Sequence, residues 1–271
     1  MNSYKSLLVT VIVLSLLSIM ASSCDEVIEY SPYQNIIKDK WKAQNPANIK
    51  ALNQQSETTF KPFKIVLIAD SHTYYDDFEK QVKYINTLKD IDFVIHLGDL
   101  TLSAINREFE WYSDIINKIK IPVITLIGNH DCLANGYDIY KEMFGPSDFY
   151  FSYNGVKFVM FDNIVWEKKV KDPDFEWFSE TIVNDKNYTH VIPFAHIPPW
   201  DEQFSYGNEL FYNYLLEKND ISLSVHGHIH RYDVRQPYGT VNYLSVPSCN
   251  RNQLVIMAIQ SDTVTFENIA Y

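Results

Sequence analysis

From about residue 62 the chain alternates short apolar runs with amphipathic stretches. Lys64-Ile-Val-Leu-Ile-Ala69 is a brief, apolar run, the pattern of a strand covered on both faces. Phe78, Val82, Ile85 and Leu88 then recur at helical spacing, and Phe93-Val-Ile-His-Leu97 is a second buried-type strand. A helix through Trp111, Ile115, Ile116 and Ile119 leads to Val123-Ile-Thr-Leu-Ile127. Strand, helix, strand, helix, strand predicts βαβ units and an α/β core. The second half changes texture. Asn154-Gly155 between Phe149–Tyr153 and Val156–Phe161 predicts a tight hairpin, and Asp172-Pro173 predicts the start of a helix running to about Val183. Val191–Ala195 and Ile221–Val225 read as further buried strands, and Val241–Val246, Leu254–Gln260 and Thr263–Ile269 as consecutive antiparallel ones. Two mixed sheets covered by helices fit this order better than one doubly wound sheet.

Ahead of that region the pattern is lost. Residues 24–61 are polar, rich in Asn, Gln, Lys and Ser, and read as a tether with one short helix around Ile36–Lys42. Residues 1–23 have another character: one Lys and no acid, an apolar run from Leu7 to Met20, then Ala21-Ser22-Ser23-Cys24. That is the layout of an export signal, and the run is short for a membrane span. A Cys directly after small residues resembles the lipobox of bacterial lipoproteins, with Ala21 where that family usually has Leu. The resemblance implies acylation of Cys24 as the mature N-terminus and a lipid-anchored place in the bacterial cell envelope, on the periplasmic side or the outer surface. Asp25 and Glu26 behind it are similar to sorting signals of some Gram-negative lipoproteins, without fixing inner or outer membrane.

Composition narrows the function classes. With 46% hydrophobic residues, 19 Tyr and 16 Phe in 271 residues, the chain has ample material for a core and is not of disordered type. Its net charge is −11, and −12 without residues 1–23, which disfavours nucleic-acid binding through a basic stripe. Besides Cys24 only Cys132 and Cys249 are present, as a disulfide or as two buried thiols, and no Cys-x-x-Cys zinc pattern exists.

The chemistry sits where predicted strands stop. Successive apolar runs end in Asp70-Ser-His72, Gly98-Asp99, Gly128-Asn129-His130-Asp131, His196-Ile-Pro-Pro199 and Gly227-His228-Ile-His230. In α/β sheets the crevice beyond the C-terminal strand ends is where ligands bind. Residues two apart, as in Asp70-x-His72 and His228-x-His230, project to one side if the backbone is extended. The neighbouring glycines permit tight turns and close backbone approach. Carboxylate, imidazole and amide oxygen together suit first-row metals, whereas Ca²⁺ prefers oxygens alone. His96 and His190 lie mid-strand and read as packed residues, Trp200 as core or surface filler. Arg231, Asn250 and Arg251 stand near motif ends, within range of a substrate but not assigned to the site.

This ordered series resembles the signature of the calcineurin-like metallophosphoesterase superfamily, in its small bacterial phosphodiesterase and phosphatase branch, over roughly residues 62–271. Any one piece is weak alone; five in order, each at a strand end, are specific. The resemblance implies a four-layer α/β/β/α sandwich with two mixed β-sheets. It implies two divalent or trivalent ions, Mn, Fe or Zn, one held by Asp70, His72 and His230, the other by Asn129, His196 and His228, with Asp99 bridging both. It further implies in-line attack on a phosphomonoester or phosphodiester by a hydroxide shared between the ions. His130 would assist the leaving group and Asp131 would orient His130, unless Asp131 only caps a turn. Small phosphorylated substrates, such as a nucleotide or a lipid headgroup, are the expected partners. Purple acid phosphatases place Tyr where this chain has Leu102, and Gly where it has His72, so a tyrosinate-ligated site is not expected. The competing class is a catalytically inactive scaffold or binding protein of the same fold, although no ligand position is lost. The sequence leaves the oligomeric state open.

Overall fold

Strand β1 (Phe63–Ile68) sends Ile65 and Leu67 into one core and Val66 and Ile68 into another, the period-two alternation of a strand buried on both faces. The computed structural model describes residues 4, 11–13, 15, 35–57, 59–184 and 187–271. The chain divides into two compact units, Met1–Gln34 and Asn35–Tyr271. In the first, the described positions are helical. Cys24 and most of the expected export signal lie outside the described residues, and among those described no helix is long and apolar enough to cross a membrane.

The second unit holds two mixed sheets. In the first, β1 pairs in parallel with β2 (Phe93–His96), β2 in parallel with β3 (Val123–Thr125), and β1 antiparallel with β10 (Gln253–Ile259), itself paired with β11 (Val264–Ala270). The second runs β4 (Phe149–Tyr153), β5 (Val156–Phe161), β6 (His190–Ala195), β7 (Leu223–His226), β9 (Asn242–Ser245) and β8 (Asp233–Arg235). The strands β5, β6, β7 and β9 are mutually parallel. Asn154 and Gly155 both have positive φ, 45° and 75°, the backbone of a type I′ hairpin.

Three cores separate four layers. Between the sheets, Ile65, Leu67, Phe93 and Ile95 meet Phe158, Met160, Phe194 and Val225. Outside the first sheet, Val66, Ile68 and Val94 pack against α2 (Tyr75–Ile85), α3 (Asn106–Ile116) and α4 (Gly136–Phe144) through Phe78, Val82, Phe109, Tyr112 and Phe144. Outside the second, Val159, Phe161 and Ala195 meet Phe178 of α5 (Phe175–Thr181) and Tyr212 and Leu216 of α6 (Tyr206–Lys218). The architecture is the expected α/β/β/α sandwich. Helix α5 starts later than its Asp172-Pro173 signal, because Asp174 accepts from the Trp177 amide at 2.9 Å and is the cap. Strand β9 does not continue an antiparallel run with β10; it joins the other sheet, where register with β7 buries Leu244 between the sheets.

The polar stretch before residue 62 is no tether from Asn35 onward. Its helix is not at 36–42, where only Asp39–Trp41 forms a 3₁₀ turn, but at α1 (Gln44–Gln55). That helix lies against β3, which ends the first sheet. Asn45 donates to the Thr125 carbonyl and accepts from the Thr125 amide, both at 2.8 Å, and Asn48 donates to the Val123 carbonyl at 2.8 Å. The asparagines that made the segment look unstructured stand in for a neighbouring strand. Leu52 is buried between the sheets and Trp41 beneath the helical layer. Asn45→Ala strands the buried Thr125 amide and should cost about 1–3 kcal/mol. A denaturant midpoint equal to wild type would contradict that role. Cys132 and Cys249 are two separate buried thiols, not a disulfide.

Candidate metal centre

The parallel strands β1, β2 and β3 of one sheet and β6 and β7 of the other all deliver their C-terminal ends to one rim. Each of the five motifs occupies one of the loops that leave it. These loops are not extended. Asp70, His72, Asp99, His228 and His230 have φ of 52°, 42°, 55°, 68° and 55°, so five of the seven expected ligands are left-handed, a region that costs non-glycine residues energy. The two-apart spacing therefore does not work through strand alternation as the sequence suggested. Both residues of each pair are turned by a locally strained backbone.

The loops hold one another in that state. The Asp70 amide donates to the Gly98 carbonyl and the His72 amide to the Asp99 carbonyl, each at 3.1 Å. The His130 amide donates to Asp99 Oδ1 at 2.9 Å, and the His228 amide to Asp70 Oδ1 at 3.2 Å. Gly128 is required by proximity, since a Cβ there would stand 2.1 Å from the Asp99 amide nitrogen. Gly98, with φ of 92°, has His196 Nδ1 2.7 Å from the place of its missing Cβ.

All seven expected ligands converge. Asp70, His72, Asp99 and His230 offer ligand atoms within 4.8 Å of one another, and so do Asp99, His196 and His228. Asp99 belongs to both groups. Its Oδ2 lies 3.5 Å from His72 Nε2 and 3.3 Å from His196 Nε2. Asn129 Oδ1 lies 3.1 Å from His228 Nδ1, which adds the amide to the second group.

The residues fit cations on four counts. His72 Nδ1–H donates to the Thr101 carbonyl at 3.0 Å and His196 Nδ1–H to the Leu97 carbonyl at 2.6 Å, so each turns Nε2 toward the site. Asp70 Oδ2 is buried without a hydrogen-bond partner. His72 Nε2 and His230 Nε2 face each other at 3.2 Å. At His228, Asp201 Oδ2 sits 3.3 Å from Nε2 and places the proton there, leaving the Nδ1 lone pair opposed to the Asn129 oxygen. Opposed acceptors of this kind are what a cation reconciles.

Burial and charge set the proton inventory of this cluster. Burial pushes the Asp70 carboxyl well up, and neighbouring Asp99 adds to the rise against the opposing pull of His196. Burial pushes His72 down, and His230 down to about 4. His196 is opposed by burial, but the carboxylates of Asp99 and Asp70 outweigh it and push it up to about 10. The sign follows: His196 holds its proton at neutral pH, a cation at Nε2 must displace it, and affinity therefore rises with pH up to about 10. Loading near pH 7 should release protons, read as a dependence of calorimetric heat on buffer ionisation enthalpy. Buffer-independent heats would refute that.

Of the two residues expected beside the ligands, His130 has a place at the rim and Asp131 takes the turn-bracing role. His130 stands beside His72, with ring centroids 4.7 Å apart, and is half-buried. Its Nδ1–H donates to the Leu102 carbonyl at 2.8 Å. Asp131 is not its orienting partner. The Asp131 carboxylate accepts from the amides of Gly128, Leu100 and Thr101 at 2.9, 3.1 and 3.0 Å and from the Thr101 hydroxyl at 2.9 Å. It ties the loop carrying Asp99 to the loop carrying Asn129, a turn-bracing role. Leu102 contributes its carbonyl, and its side chain offers no ligand. His96 lies in the core against Phe78 and Tyr112, His190 Nε2–H donates to the Gln260 carbonyl, and Trp200 packs on Tyr243.

Two carboxylates outside every motif serve the second group. Glu167, after β5, accepts from Asn129 Nδ2 at 3.2 Å, which turns the amide oxygen toward the site. Asp201, after His196, orients His228. The sequence carried no signal for either, since both are acids in irregular loops whose reach depends on the fold. Glu167→Gln and Asp201→Asn should each weaken cation binding at one of two sites, roughly 10–100-fold. Titration with Mn²⁺ followed by paramagnetic resonance reads this, and two unchanged affinities would exclude it.

The family profile of calcineurin-like phosphoesterases matches residues 63–232. Among solved structures, the chain is similar to the purple acid phosphatase PPD1 of yellow lupin (Lupinus luteus), with 14% identity and TM-score 0.64 over 79% of this chain. It spans about half of that enzyme's chain, 52%. It is also similar to a dimetal phosphatase from Danio rerio, with 13% identity and TM-score 0.58, over 77% of this chain and 96% of that one. A third likeness is to GAP50, described as the anchor in the inner membrane complex of Plasmodium, with 10% identity and TM-score 0.59, over 77% and 84%. At these identities the structures establish the fold. No curated protein matches the chain. The profile match across most of the sandwich, with the Asp and His clusters at its rim, makes this chain a member of the calcineurin-like phosphoesterase family, a metal-dependent phosphoesterase.

Proposed function

We propose that the chain hydrolyses a phosphomonoester or phosphodiester at a centre of two cations, Mn, Fe or Zn. The observation that carries this reading is Asp99, among the described residues the one side chain common to both ligand clusters. Asp70, His72 and His230 would hold one ion and Asn129, His196 and His228 the other, with Asp99 between them. When bound, the two ions supply an activated water and neutralise charge on the phosphoryl oxygens. The chain's own contributions are orientation and proton delivery. His130, with Nδ1–H held by the Leu102 carbonyl, presents Nε2 on its far side to a phosphoryl or leaving-group oxygen. Glu167, Asp201 and the Leu97 and Thr101 carbonyls fix the ligands before substrate arrives.

The test is turnover of nitrophenyl phosphate and bis-nitrophenyl phosphate by the purified chain with Mn²⁺, beside a count of bound ions. Two bound ions with no turnover on a broad panel of esters would favour the scaffold reading instead. We further propose export with acylation at Cys24, supported by the apolar run Leu7–Met20 and the small residues before Cys24. A Cys24→Ser variant that still incorporates a labelled fatty acid would refute the anchor.

A further inference from the structure

The whole chain has four arginines, in a protein of net charge −11. Arg107 pairs with Glu110 on α3, and Arg235 with Asp233 beside Trp200. The other two, Arg231 and Arg251, line one cavity of about 500 Å³ together with Tyr232, Gln253 and Asn268. Among the described residues neither has a carboxylate within ion-pair distance, and none of the five lining residues is acidic, although the chain has 34 acids. The walls carry guanidinium, phenol and amide groups, a surplus of hydrogen-bond donors that suits an anion.

Its place is tied to the metal centre. Arg231 follows the ligand His230 directly, and Arg251 Nε donates to the His230 carbonyl at 3.2 Å, which leaves its two terminal nitrogens to other partners. Gln253 begins β10 and Asn268 pairs beside Val255 on β11, so both stand at the end of the sheet where β1 releases Asp70. Loop 248–252 is pinned there by the bridge between Ala69 and Ser248.

We propose that this cavity is a subsite for a second anionic group of the substrate, a phosphate or carboxylate a few bonds from the phosphoester that is cleaved. The inference rests on the phosphoesterase reading above and narrows it to substrates with two anionic groups. The cations bind the reacting phosphoryl group, and the paired guanidinium groups bind the other anion in the bidentate manner that lysine cannot reproduce.

The test compares thymidine 3′,5′-bisphosphate with thymidine 5′-monophosphate on the Mn²⁺-loaded chain, as inhibitors of nitrophenyl phosphate hydrolysis and by equilibrium dialysis. The wild-type chain should bind the bisphosphate about tenfold or more tightly than the monophosphate. In Arg231→Ala/Arg251→Gln, whose glutamine amide keeps a donor for the His230 carbonyl, that preference should collapse toward unity, while bound ions, thermal midpoint and KM for nitrophenyl phosphate stay unchanged. Equal affinities in the wild-type chain, or a preference that survives the double substitution, overturn the subsite. An arginine-dependent preference in dialysis without any ester hydrolysis overturns the phosphoesterase reading and leaves the anion site standing.

Discussion

Asp99→Asn is expected to abolish turnover and reduce bound ions from two to one or none, with the fold intact. Asp99 is the residue that both clusters share, and an amide oxygen keeps its shape while removing its charge. Metal ions contribute several kcal/mol of charge stabilisation in such reactions, and each 1.4 kcal/mol is tenfold in rate. The loss should therefore exceed roughly 10³-fold in kcat/KM. Metal analysis of the purified variant is the decisive companion measurement, because a slow enzyme with two tightly bound ions would show that Asp99 is not the bridge. The sign of any stability change is also informative. Burial opposes the Asp99 charge, but the histidines His196, His72 and His130 outweigh it and hold the carboxyl well below its ordinary range. Replacing it should destabilise the neighbouring His196 cation in the ion-free chain and lower the pH at which that imidazole loses its proton.

His130→Ala should leave the ion count at two and lower kcat by roughly 10²–10⁴-fold, the range for a positioned proton donor. The imidazole is held through Nδ1 by a backbone carbonyl and is not in either ligand cluster, so its loss should spare metal affinity. The size of the effect should depend on the leaving group. An alkyl phosphate needs its oxygen protonated as it departs, whereas nitrophenolate leaves readily without help. The variant should thus lose far more activity on an alkyl ester than on nitrophenyl phosphate. Equal losses on both would assign His130 to binding the phosphoryl oxygens, and no loss on either would remove it from the reaction.

The convergence of these residues was legible because each closes an apolar run, and strand ends in an α/β sheet share a rim. Its geometry was not. Left-handed φ at Asp70, His72, Asp99, His228 and His230 is set by bonds between loops far apart in sequence, such as His228 to Asp70, which no local pattern records. Asp131 stayed open between orienting His130 and capping a turn for a related reason. Adjacency to His130 suggested a partner, while the actual partners lie about thirty residues back at Leu100 and Thr101. Glu167 and Asp201 gave no signal, being acids in polar loops. Strand β9 looked like the first of three antiparallel strands because its neighbours in sequence are strands; its pairing with β7 rests on the crossover between sheets. Helix α1 was missed because Asn45 and Asn48 share its packed face with Ile49 and Leu52, which leaves little apolar periodicity.

Those asparagines carry a consequence for how the molecule behaves in company. Side-chain amides at Asn45 and Asn48 occupy groups on β3 that another chain's backbone would otherwise bind. A recombinant product begun at residue 62, where the family pattern starts, would lack them and present a bare, β-branched template for intermolecular sheet growth. Such a product should form oligomers or fibrils at concentrations where the chain from residue 35 stays monodisperse. The stretch that reads as a spacer is thus expected to guard against polymerisation, and size-exclusion chromatography of the two products checks it.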